Sequence, residues 1–190
     1  MENNQNQKHT ISVLVDNEPG VLSRVTGLFS GRGFNIESLC VAETMESEVS
    51  RITLVTQGNE QIVEQITKQL NKLVNVIKVI DFTHTEFVER EMALVKVRAE
   101  AATRAEILRI VDIFRCQVVD VSPQEYTIEV TGNEGKITAI LDLLSHLGIK
   151  EIARTGAIAL ARSKKEGSLK REKIKGGKDE DLLRSRRRPE

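Results

Sequence analysis

The chain of 190 residues writes the same order of elements twice, and this repeat limits its fold more than any other feature. Residues 9–16 alternate Ile11, Val13 and Val15 with Thr10, Ser12 and Leu14, the period of a strand. Val21, Leu22, Val25, Leu28 and Phe29 then share one helical face. Pro19 suits the first helical position, and Gly31 and Gly33 act as stop signals. Residues 34–44 and 49–56 read as strands joined by a polar turn at 45–48. Asn59 can cap a helix carrying Ile62, Val63, Ile66, Leu70 and Leu73, and residues 74–83 close the unit as a fourth strand.

From Met92 the order returns. Residues 92–99 form a strand, and Thr103 with Glu106 fits a capping box before the helical face of Ile107, Ile110, Val111 and Phe114. Residues 117–121 and 126–131 are strands flanking Ser122-Pro123. Asn133 caps a helix of Ile137, Ile140, Leu141 and Leu144 that ends at Gly148, and 149–161 is the last strand, with a bend at Gly156. Even single positions echo: Gly58-Asn59-Glu60 returns as Gly132-Asn133-Glu134, and Leu22, Arg24, Val25, Leu28, Phe29 as Ile107, Arg109, Ile110, Ile113, Phe114. The predicted class is α+β, two consecutive ferredoxin-like βαββαβ domains. Their expected bounds are 9–84 and 92–162, with a disordered start at 1–8, a charged linker at 85–91 (Glu86, Glu89, Arg90, Glu91) and a basic disordered tail at 163–190.

Each such sheet carries helices on one face. With apolar strand positions such as Ile11, Val13, Ile52 and Leu54, an aliphatic face is expected to lie open. That face should drive pairing, within the chain or as a homodimer.

Aromatic residues make up 3% of the chain and Trp is absent, so the core must be aliphatic. Lys and Arg number 28, as do Asp and Glu, which argues against a nucleic-acid or membrane partner. The balance hides 12 basic against 6 acidic residues from Arg162 onward, over a mildly acidic body. That tail, tipped by Arg186-Arg187-Arg188, has few apolar residues. RNA-binding modules of this element order stack bases on strand aromatics, and Phe34, Phe82 and Tyr126 do not form such a platform. Cys40 and Cys116, one in each half, read as reduced packing residues of a cytoplasmic protein. The polar start MENNQNQKH resembles no targeting peptide, and no apolar run reaches the ~20 residues of a membrane span. His9 in the expected disordered start, His84 at a strand end and His146 on a helix have no partners at metal-ligand spacing. There is no G-x-S-x-G, Walker loop or G-x-G-x-x-G, and Gly31-Arg32-Gly33 follows a helix instead of opening one. No catalytic residue and no metal site is expected.

The remaining candidate is Asp16-Asn17-Glu18-Pro19-Gly20, where the first strand gives way to the first helix. Free N–H groups at the positive end of a helix can hold a carboxylate. Gly20 lets a ligand approach the backbone without a Cβ in the way. Asn17 offers a donor and an acceptor, which suits an α-amino and α-carboxylate pair. An ordinary capped helix start fits these five residues equally well.

The pentapeptide resembles the strand-to-helix loop of the ACT domain, a ferredoxin-like module that binds small ligands, typically amino acids, between paired copies. The longer stretch DNEPGVLSRVTGLFSGRGFNIESL resembles the opening of the small, regulatory subunits of acetolactate synthase, also called acetohydroxyacid synthase. The resemblance continues through SRITLVTQG, EQITKQLNKLVNVIKV, VEREMALVKV, IVDIFRCQVVDVSPQEYTIEVTG and IARTGAIALAR, over residues 10–162. It implies a non-catalytic subunit with no cofactor of its own. Such a subunit activates a catalytic large subunit, which carries thiamine diphosphate, Mg and FAD, and confers feedback inhibition by valine in branched-chain amino acid biosynthesis. By the same resemblance, Asn17, Gly20 and Val21 take the loop positions that hold the amino acid, with Ser23 further along the helix mouth. Asn35 and Ile36 match positions supplied by the neighbouring ACT domain of a dimer. The second unit reads Glu100-Ala101-Ala102-Thr103 at the equivalent loop and is expected to carry no site of this kind. Valine is the family's effector; discrimination among valine, leucine and isoleucine rests on only ~1–3 kcal/mol in an apolar pocket. A stand-alone two-ACT amino-acid sensor, acting on transcription or another enzyme, is the alternative that the same fold permits.

Overall fold

The computed structural model describes residues 7–163; residues 1–6 of the expected disordered start, and the basic tail beyond Ser163, lie outside them. The first unit runs β1 (Gln7–Asp16), α1 (Val21–Ser30), β2 (Ser38–Glu43), β3 (Val49–Gly58), α2 (Glu60–Leu70) and β4 (Val76–Asp81). The second runs β5 (Phe87–Arg98), α3 (Arg104–Phe114), β6 (Gln117–Val121), β7 (Glu125–Gly132), α4 (Glu134–Gly148), β8 (Ile149–Arg154) and β9 (Ile158–Ala161). The first sheet is ordered β2-β3-β1-β4 and the second β6-β7-β5-β8, every pair antiparallel, with β9 beside the start of β5. These are two ferredoxin-like α+β units.

The strand periods decide the cores. Register pairs Val13 with Ile52 and Ile11 with Leu54, so all four point to one side, where they meet Val25 and Phe29 of α1 and Ile66 and Leu70 of α2. Each is fully buried or nearly so, and each such side chain contributes about 1.5–3 kcal/mol. Val95, Val97 and Ile128 pack likewise against Ile107, Ile137 and Ile140 in the second unit. The four strand positions that suggested an open aliphatic face are therefore the ones the helices cover, and the opposite face of the first sheet is mixed, with Leu14, Val55 and Ile80 among polar residues. The other face carries Ser12, Thr53 and Arg51, and the Arg51 guanidinium donates to the Ser12 hydroxyl at 2.9 Å.

Asn59 and Asn133 cap as expected, their side chains accepting from the amides of Ile62 and Lys136 at 2.9 and 3.0 Å. The Thr103 capping box does not form, because the Thr103 hydroxyl turns back to donate to the Glu100 carbonyl at 3.2 Å. The last strand breaks into β8 and β9 around Gly156, where the bend was expected. Residues 34–37 precede β2 instead of belonging to it.

Two readings fail for the same reason, pairing with distant residues. His9 lies in β1, 2% exposed, with Nδ1 2.9 Å from the Thr83 hydroxyl and Nε2 3.0 Å from the Gly58 carbonyl. The charged run expected as a solvated linker enters β5 at Phe87, which pairs with β9 and stacks on Phe82 with ring centroids 4.9 Å apart. Glu91 is buried there, and Arg154 donates to both of its carboxylate oxygens at 2.6 Å. Neither described helix set contains a span long and apolar enough to cross a membrane.

Candidate functional site

The β1–α1 loop is a tight turn before the helix begins. Glu18 accepts from the Val21 amide at 3.3 Å, and Gly20 has φ 88° and ψ −9°. With Pro19 second and a left-handed glycine third, this is a type II turn. Pro19 therefore sets the turn and is not the first helical residue. Gly20 becomes the N-cap, and a Cβ built on it meets no atom within 4 Å, so the space above it is open.

Among the described residues no side chain caps α1, and its first turn holds no acidic residue. By contrast α2 and α4 have both an Asn cap and a first-turn glutamate. An uncapped first turn leaves amide donors and the positive helix end available for an outside acceptor.

Around this mouth Asn17 is fixed on two sides. Its backbone amide donates to Glu48 at 2.7 Å, and its side-chain amide donates to the Ser47 carbonyl at 2.8 Å and to Glu43 at 3.1 Å. Both bonds use the amide nitrogen, and the carboxamide oxygen of Asn17 is an acceptor. Asn75, which the sequence reading passed over between Val74 and Val76, braces the loop from beneath. Its amide reaches Asp16 and Glu18 at 3.3 Å each, and its oxygen accepts from Arg24. A polar residue flanked by two apolar ones where a strand begins was the available signal.

Asn17, Gly20 and Ser23 are exposed at the mouth, whereas the Val21 side chain is 3% exposed and belongs to the core. Val21 can meet a ligand through its backbone alone. Asn35 and Ile36 stand elsewhere. The Asn35 carbonyl accepts from the Thr56 hydroxyl at 2.7 Å, and Thr56 pairs with His9 at the far end of β1. From His9 to Asn17 the strand rises roughly 25 Å. One chain thus separates the two halves of the expected site.

A second concavity, of about 490 Å³, opens where the units meet, lined by Lys8, Glu37, Ser38, Glu89 and Arg154 among others. Burial there, helped by the charges of Glu134 and Glu91, holds the Glu89 carboxyl above its ordinary value. Cys116 packs against the second core, and burial pushes its thiol up; Cys40 is half-buried on β2. Among the described residues no His, Cys, Asp and Glu gather into a group able to hold a metal ion.

Comparison with known proteins agrees over both units. Residues 11–78 match the family described as AHAS small subunit-like ACT domain, and residues 90–163 match the small subunit of acetolactate synthase. A probable acetolactate synthase small subunit of Archaeoglobus fulgidus is 52% identical over 159 residues, 84% of this chain and 99% of the relative. An acetolactate synthase small subunit of Aquifex aeolicus is 51% identical over 169 residues, 88% of this chain and 86% of the relative. The crystal structure of the acetolactate synthase small subunit from Thermotoga maritima superimposes with a TM-score of 0.76 at 42% identity, covering 83% of this chain and 99% of that one. With both units matched, the chain belongs to the family of acetolactate synthase small subunits, its first half an ACT domain.

Proposed function

We propose that the chain is the non-catalytic, regulatory subunit of an acetolactate synthase, activating a thiamine-diphosphate-dependent large subunit and making it sensitive to valine. In this reading the first unit, β1–β4, is the effector-binding domain, and the second begins with β5 at Phe87. The effector's carboxylate meets the first-turn amides of α1, and its α-amino group meets the Asn17 carboxamide oxygen. Gly20 leaves room for it, and Ser23 closes the mouth from the helix side.

The observation that carries the proposal is the placement of β2. It is an outer strand of the first sheet, and its Glu43 end is tied to Asn17. Its other end, Ser38, comes two residues after Ile36. A second copy pairing antiparallel along β2 sets its own Ser38 end against this Glu43 end. Its Asn35 and Ile36 then come to the Asn17–Gly20 mouth, and the ~25 Å gap within one chain closes between two. A homodimer with two equivalent effector sites follows.

The test is reconstitution. The isolated chain is mixed with its large subunit, and acetolactate formation is followed with and without valine. Stimulation of the rate, reversed by valine, is expected. A rate indifferent to the added chain overturns the proposal.

A further inference from the structure

We propose that the second unit positions the Asn35–Ile36 side of the effector site through the turn between β8 and β9, so that effector binding and the placement of the second unit are coupled. This rests on the reading of the site given above.

Residues 35–39 are gripped from two sides. Their own sheet holds them from one: Thr56 donates to the Asn35 carbonyl, and the Glu37 amide donates to Val55 at 2.8 Å. The second unit holds them from the other. The Ala157 amide donates to the Ser38 hydroxyl at 3.1 Å, and Ala157 is 5% exposed. Beside it Gly156 has φ +80°, and a Cβ there would stand 2.7 Å from the Ser38 oxygen and 3.4 Å from the Leu39 carbonyl. Only a glycine lets the turn sit this close, for both conformational and steric reasons. A second tie runs through Lys8, whose ammonium lies 3.5 Å from Glu37 and pairs with Glu134, the first residue of α4.

Both ties end within two residues of Ile36. Two residues reach at most about 7 Å, so a shift of the 156–157 turn moves the Asn35–Ile36 edge with little slack. Coupling of this kind is reciprocal: an effector that fixes Asn35 and Ile36 also fixes the turn, and loosening the turn weakens the effector.

Hydrogen exchange on the full-length chain, with and without saturating valine, tests this. Valine is expected to slow exchange at residues 17–24 and, in the same titration, at 156–161. Ser38→Ala should retain the slowing at 17–24, with valine affinity lowered between about twofold and tenfold for one lost hydrogen bond. It should lose the slowing at 156–161, and Ser38→Thr, which keeps the hydroxyl, should restore it. If Ser38→Ala fails to fold, Lys8→Gln severs the second tie and should diminish the same distant response. Slowing at 17–24 with none at 156–161 in the unaltered chain overturns the coupling and leaves the site standing. An unchanged distant response in the folded variants also overturns it. Absence of any slowing at 17–24 overturns the site reading, and the coupling falls with it.

Discussion

Replacing Gly20 by Asp separates effector binding from folding, and the structure sets both magnitudes. Gly20 is the left-handed third residue of a type II turn, with φ 88°. A non-glycine residue in that conformation costs about 1–3 kcal/mol, and Asp lies toward the low end because its short polar side chain tolerates it. No steric cost adds, since a Cβ there meets nothing within 4 Å. The new carboxylate recovers about 0.3–1 kcal/mol from the helix end. The fold should thus lose about 1 kcal/mol, lowering Tm by about 4–8 °C for a unit of this size. Binding suffers far more. At an effective dielectric near 20, two carboxylates ~4 Å apart repel by about 4 kcal/mol, nearly the whole binding energy of about 4.1 kcal/mol for a millimolar ligand. The variant should fold, still activate the large subunit and lose valine inhibition. Gly20→Ala carries the backbone strain and the Cβ without the charge and should weaken valine inhibition less than Gly20→Asp. The assay is a valine titration of the reconstituted enzyme beside a thermal melt. Unchanged inhibition in a folded Gly20→Asp variant refutes the placement of the carboxylate. Equal loss in Gly20→Ala would show that the Cβ or the backbone geometry, not charge, decides.

Other outcomes are open to measurement. Glu91→Ala leaves the Arg154 guanidinium, whose side chain is 45% exposed, free to rehydrate, so the loss should stay at about 1–3 kcal/mol in a denaturant titration. The Glu89 carboxyl is held above its ordinary value of 4.5 by burial and by the charges of Glu134 and Glu91, so its ionised form destabilises the fold. Glu89→Gln should therefore raise Tm at neutral pH, and the gain should shrink as pH falls through the folded value and vanish below about 4.5; a gain that persists there excludes this origin. The isolated chain, supplied with pyruvate and thiamine diphosphate, should form no acetolactate, and turnover by the pure chain would contradict a regulatory role.

What the sequence determined by itself is local. Period-2 and period-3.6 patterns located the strands and helices because each element's own side chains carry its period. The Asn59 and Asn133 caps were legible because the cap and the amide that donates to it lie three residues apart. The bend at Gly156 and the Asn17–Gly20 loop could be read for the same reason. Short-range errors arose where two local geometries compete: Pro19 serves a turn as well as a helix start, and the Thr103 hydroxyl can bond backward to Glu100 instead of forward. Only the tertiary structure decided which strand face the helices cover, because alternation marks two faces without saying which is inside. It also decided that His9 is buried and that the charged run pairs as a strand, since the partners are Thr83, Ala159 and Arg154. The halves of the proposed effector site fall ~25 Å apart in one chain because β1 carries them to opposite ends, a distance that strand register fixes and loop residues do not encode. The bond from Ala157 to Ser38 spans 119 positions, and no pattern in either segment announces the other. It exists because two complete sheets bring a glycine turn against the start of β2, a consequence of packing that follows from the whole chain and from no stretch of it alone.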